Sequence, residues 1–90
     1  MALLKGSIIG VPCQVKPGPF SEELLISLET IDGPISGFTQ GSELKRQGEQ
    51  WFVRAIVEAV EKDAITVRIY GSFFTTNGIA TISPETALAA

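Results

Sequence analysis

The chain has 90 residues, enough for one small core and too few for two. With 44% apolar and 19% charged residues it is globular in composition, and seven basic against ten acidic residues leave a net charge of −3, which disfavours a general nucleic-acid binder. It has no histidine and Cys13 is its one cysteine, which excludes Ser-His-Asp and Cys-His catalysis, imidazole metal ligation and an intrachain disulfide.

The amino-terminal stretch MALLKGSIIGVP lacks an apolar core long enough for a signal peptide, and no run approaches membrane-spanning length, so the expected compartment is the cytoplasm. Residues 7–16 predict a first strand with Ile9, Val11, Cys13 and Val15 on one face. In that alternation Cys13 reads as a small buried hydrophobe and not as a nucleophile. Pro12, on the other face, cannot donate to a ladder and implies an edge or a bulge. Pro17-Gly18-Pro19-Phe20 is a rigid turn, followed by Ser21-Glu22-Glu23, a capped helical turn or a solvated loop. Glu22 and Glu23, neighbouring carboxylates in a loop, would need a buried cleft for acid–base work and are not expected to be a catalytic pair.

Residues 24–31 alternate again, with Leu24, Ile26 and Leu28 inward, and Asp32-Gly33 signals a hairpin. Pro34 has no N–H to close a two-residue loop, so a longer loop is expected. Residues 35–40 return as a strand in which Gly37 marks a bulge or a close backbone approach. Residues 41–50 are polar and read as a loop with room for one helical turn at 42–44. Lys45-Arg46 within it reads as solvated rather than as a phosphate clamp.

Residues 51–71, WFVRAIVEAVEKDAITVRIYG, organise the rest. Residues 49–62 fit an amphipathic helix, with Arg54, Glu58, Glu61 and Lys62 opposite Phe52, Val53, Ile56, Val57 and Val60. The same residues are largely β-branched or aromatic and lack a good N-cap, which favours a strand. Residues 65–70 then alternate as the second arm of a long hairpin. A three-residue loop at 61–63, with Asp63 in the left-handed region, sets Ala59, Val57 and Ala55 opposite Ile65, Val67 and Ile69. On the other face Glu58 meets Thr66 with Arg68 diagonal, and Arg54 meets Tyr70. Residues 71–78 carry the adjacent aromatics Phe73 and Phe74, and 78–82 form a short last strand. Ser83-Pro84-Glu85-Thr86 starts a helical turn or tail. The expectation is a single all-β domain over 1–90, a five- or six-stranded antiparallel barrel with a helical turn or tail from about 84. The alternative is an α+β fold with a helix at 49–62.

From Ile35 the chain reads I-S-G-F-T-Q-G-S-E-L, then R-A-I-V before the hairpin tip and I-T-V after it. This resembles the S1-type OB-fold RNA-binding domain, in which a glycine–hydrophobic pair precedes Ser-Glu-Leu and a long hairpin follows. The resemblance implies single-stranded RNA binding, with Gly18 and Phe20 near the family's Gly-x-Phe stretch and Phe20 as its stacking aromatic. Trp51, Arg54-Ala55, Val57, Val67 and Tyr70-Gly71 are similar to a pattern of Tudor and other SH3-like barrels. Ile69 stands where that family has an Asp before Tyr-Gly, so a cage for a methylated side chain is not implied.

The candidate binding residues are Phe20, Arg54, Arg68, Tyr70, Phe73 and Phe74. Adjacent strand residues face opposite sides, so one of Phe73 and Phe74 should point outward, beside Tyr70, as a stacking platform or a hot spot. Arg54, Arg68 and Tyr70 share the outer face of the hairpin, where a cation–π surface competes with a plain cross-strand ladder to Glu58. Trp51 reads as a core or interface anchor. No cofactor and no metal are expected. The functional expectation is a non-enzymatic module for protein–protein interaction or self-association, with single-stranded RNA binding as the alternative.

Overall fold

The computed structural model describes residues 4–19, 22–73 and 77–89, the last two by their backbone. Phe20 and Phe74 lie outside the described residues. Among the described residues nine strands make one sheet: β1 (Ile8–Pro17), β2 (Glu23–Thr30), β3 (Gly33–Gln40), β4 (Leu44–Gln47), β5 (Gln50–Val60), β6 (Ile65–Ile69), β7 (Ser72–Phe73), β8 (Ile79–Ile82) and β9 (Leu88–Ala89). The path runs β7-β3-β2-β1-β5-β6-β8, with β4 on β5 and β9 on β1, and each described pairing is antiparallel. Two 3₁₀ turns, Gly41–Glu43 and Pro84–Thr86, are the helical elements among the described residues.

The sheet curls into a half-barrel because two segments change partner along their length. β1 pairs with β5 over Ile8–Cys13 and with β2 over Gln14–Pro17. Beyond the β9 contact at Ile9 and Gly10, the stretch of β1 around Pro12 pairs with β5 on one side and has no strand neighbour on the other. The local edge read from Pro12 is there, just before the change of partner. The second corner follows β6. Tyr70 still donates its N–H to the Arg54 carbonyl (3.0 Å), and two residues later Ser72 pairs with Phe38 of β3.

Gly37 makes that second corner possible. A Cβ there would stand 2.5 Å from the Ser72 carbonyl oxygen and 2.8 Å from the Phe73 Cα, so the close approach expected at Gly37 is real. The tip of the β2–β3 hairpin then closes the open side, with the Ile31 N–H donating to the Thr81 carbonyl of β8 (3.0 Å).

The core is the inner face of this curl: Ile9, Val11 and Cys13 of β1, Ile26 and Leu28 of β2, Val53, Ala55 and Val57 of β5, Ile65, Val67 and Ile69 of β6, and Ala80 and Ile82 of β8. Period-two alternation places each of them inward, and burying each large aliphatic side chain is worth roughly 1.5–3 kcal/mol. Val15, Ile35, Leu44, Trp51 and Phe73 pack against its margins.

The long hairpin expected over 51–71 is present with β5 as its long arm, and the alternative helix at 49–62 is not formed, because Val53, Ala55 and Val57 can only be buried together at period two. Four other expectations are corrected. The hairpin keeps the expected register at Ala55–Ile69 and Val57–Val67, but a bulge at Glu58 then shifts it, so Ala59 pairs with Thr66 and Val60 with Ile65. The extra residue is absorbed at the bulge. The tip closes over 61–64 through Glu61 N–H to Ala64 O (2.8 Å), and no described non-glycine residue, Asp63 included, has a positive φ.

The β2–β3 loop is the short one, Ile31-Asp32, despite Pro34. The Thr30 hydroxyl takes over the closure, donating to the Gly33 carbonyl (2.7 Å) and accepting from the Asp32 N–H (3.1 Å), while Gly33 supplies φ +108°. Finally, 44–47 is a strand rather than loop. Its polar sequence is an exposed edge on β5, held by Leu44 against the core and by the Arg46 guanidinium 5.8 Å from the centre of the Trp51 ring.

Candidate functional site

The outer face of the β1–β5–β6–β8 part of the sheet is unusually apolar for a surface with no strand or helix of the described chain over it. Because Ile9, Val57, Val67 and Ala80 point inward, their neighbours Ile8, Ile56, Arg68 and Ile79 point outward. The register sets these four in one row, Ile8 opposite Ile56, Ile56 opposite Arg68 and Arg68 opposite Ile79. Ile8 is 40% and Ile79 42% exposed, and Ile56 between them is half-buried. The next row holds Gly10, Arg54 and Tyr70, and the one beyond it Pro12, Phe52 and Lys45.

The charges on this face are largely committed within the chain. The bulge turns Glu58 so that its carboxylate accepts from Arg68 Nε at 3.0 Å. The cross-strand ladder foreseen for these two is therefore formed, by a different register. The Arg54 Nε stands 3.9 Å from Glu43 Oε2, and its guanidinium lies 6.0 Å from the centre of the Tyr70 ring. The face-sharing of Arg54 with Tyr70 read from the sequence is thus present, and Tyr70 is 37% exposed.

Around Tyr70 the outer face passes into an open groove of about 420 Å³ between the end of β3, the Gly41–Glu43 turn and the β6–β7 corner. Phe38, Glu23, Glu43, Tyr70, Gly71 and Ser72 line it, with Thr39 and Gln40. The corner is fixed by the Thr39 hydroxyl, which donates to the Tyr70 carbonyl at 2.7 Å. A second cleft, about 290 Å³, lies where β1 changes partner, between Pro12, Gln14, Glu29, Pro34, Gln50 and Thr86. Cys13 borders it, but burial pushes its thiol up to about 11, so at neutral pH the sulfur is a packed, protonated group.

Of the predicted site residues, Arg54, Arg68 and Tyr70 are gathered on one face. Phe73 is half-buried, packs against the core margin and lies against Gly37 and Gly78. The basic residues Lys16, Lys45, Arg46, Arg54 and Arg68, whose clustering on one side would favour RNA, are divided. Lys45, Arg54 and Arg68 face outward from the larger part of the sheet, Arg46 lies over Trp51, and Lys16 stands on the β2 side of the curl.

The residues missed by the sequence reading are Ile8, Ile56, Ile79, Phe38 and Glu43. A signal for Ile56 was present in β5, which is apolar at Phe52 and Ile56 as well as at its inward positions. That double apolarity is what imitated a helix. No group of three or more potential metal ligands occurs among the described residues. Searches against protein-family models, curated proteins and solved structures found no match.

Proposed function

We propose that this chain is a non-catalytic small β-barrel module that binds protein, a second copy of itself or another chain, through the outer face centred on Ile56, Arg68, Arg54 and Tyr70. The observation that carries this reading is the cross-strand row Ile8–Ile56–Arg68–Ile79. A solvent-facing sheet surface alternates to polar residues unless something else covers it, and contiguous exposed apolar area on a small domain marks an interaction surface. A partner face built of isoleucines with a tyrosine and an arginine at its margin has the composition of an interface core and its anchors.

Single-stranded RNA, implied by the S1-like spacing, asks for cations able to neutralise phosphates. Arg68 is already in a hydrogen-bonded ion pair and Arg54 is shared between Glu43 and Tyr70, which supports protein as the partner. The small β-barrel resemblances, S1-type OB or Tudor and SH3-like, remain compatible with the curled antiparallel sheet as proposals for its kinship.

Sedimentation of the purified chain over a concentration series, beside titration of a labelled random single-stranded RNA pool at low and physiological salt, tests the reading. The expected result is no RNA binding at either salt, and any self-association abolished by Ile56→Glu. Salt-sensitive RNA binding that disappears in Arg54→Ala and Arg68→Ala would overturn it.

A further inference from the structure

The groove beside Tyr70 has a chemistry of its own. Its charged lining groups are the carboxylates of Glu23 and Glu43, and its large apolar ones are the rings of Phe38 and Tyr70. Gly71 and Ser72 leave its floor small. Glu23 opens β2 and has no ion pair among the described residues. Glu43 sits on the 3₁₀ turn, and its oxygen Oε2 is buried with no hydrogen-bond partner. Its nearest cation, Arg54 Nε, is 3.9 Å away, beyond hydrogen-bonding distance. One cation therefore faces the two carboxylates of the lining, which leaves the lining groups net negative, with Lys45 one row further out on β4.

Lys16 is the closest other cation along the β3 side. It stands in the same outward row as Leu25, Phe38 and Ser72, two strands from Phe38 or about 10 Å at the usual strand spacing, where salt screens it.

We infer that this groove takes a cationic side chain, the guanidinium or ammonium of a basic segment in the protein partner. Aromatic rings present negative π-faces to a cation, and carboxylates beside them add a charge-assisted acceptor. An anionic ligand meets the opposite: a nucleobase stacked on Tyr70 brings its phosphates toward Glu23 and Glu43. The inference rests on the protein-binding reading above and supplies the charge of the partner, basic against this acidic chain.

The test needs no partner. Amide chemical shifts of the full chain are followed while N-acetyl-arginine amide, N-acetyl-lysine amide or, as a control, N-acetyl-glutamate amide is added. The two cations are expected to move the amides of Thr39, Gln40, Gly71 and Ser72 saturably, and the acidic probe is expected to leave them still. The double variant Glu23→Gln with Glu43→Gln should weaken the response about five-fold, as loss of partly exposed ion pairs does. Tyr70→Leu should weaken it and Tyr70→Phe should keep it.

Equal response to the acidic probe, or cation response unchanged in the double variant, would overturn the inference. Either result leaves the Ile56 face untouched, because that face is read by sedimentation of the whole chain and not by these probes.

Discussion

Cys13 illustrates how a single residue in this chain acquires its properties from its strand. It points inward from β1, is buried, and its thiol is raised from an ordinary value of 9.0 to about 11 by the loss of solvent. In the unfolded chain the thiol ionises first as pH rises, so the unfolded state binds fewer protons between about 9 and about 11. Folding stability contributed by this group is complete below pH 9 and is lost across that window. Denaturant midpoints measured from pH 8 to pH 11.5 should fall in the wild type. They should fall less steeply in Cys13→Ala, whatever the absolute cost of that substitution. A second expectation at this scale concerns Glu58 and Arg68. A double-mutant cycle on this exposed pair should give a coupling of only ~0.2–1 kcal/mol. A larger value would mean the pair is held more rigidly than an exposed cross-strand contact.

At the scale of elements, the long hairpin was legible because β-branched and aromatic residues outvoted the helical spacing, and because 65–70 alternate without ambiguity. Its bulge was not legible. Nothing in Val57-Glu58-Ala59 distinguishes an even register from one shifted by a residue, and the other partner of β6, β8, comes from a later segment of the chain. β4 was missed for a related reason: an exposed edge needs little apolar sequence, and Leu44 alone fixes its inner face. Gly37 was legible, since a glycine within a strand pattern has few other uses. Gly37→Ala should push β7 off β3 and cost about 1–3 kcal/mol in chemical denaturation, the usual range for overpacking. A cost near zero would show that β7 can leave β3 without consequence. By contrast, Ile26→Ala, in the centre of β2, should cost ~2–5 kcal/mol through the cavity it leaves.

The whole molecule is a sheet curled at two corners, β1 near Pro12 and the β6–β7 junction near Gly71, with a core inside and an apolar row outside. Its class could be read from punctuation and alternation. Its surfaces could not, because they are assembled from residues distant in sequence: Ile8, Ile56 and Ile79 in one row, and Glu23, Phe38, Glu43 and Tyr70 around one groove. Arg54 and Tyr70 were found because a single hairpin holds both. The outer row is the central claim, and position-specific photo-crosslinking tests it most directly. Ile56 is replaced by p-benzoylphenylalanine in the chain expressed in its own cells, with Glu29, an exposed position on β2, replaced as the control. The expected result is an adduct from position 56, removed by protease and untouched by nuclease, with none from position 29. A nuclease-sensitive adduct at position 56, or adducts from position 29 alone, would contradict a protein-binding outer face.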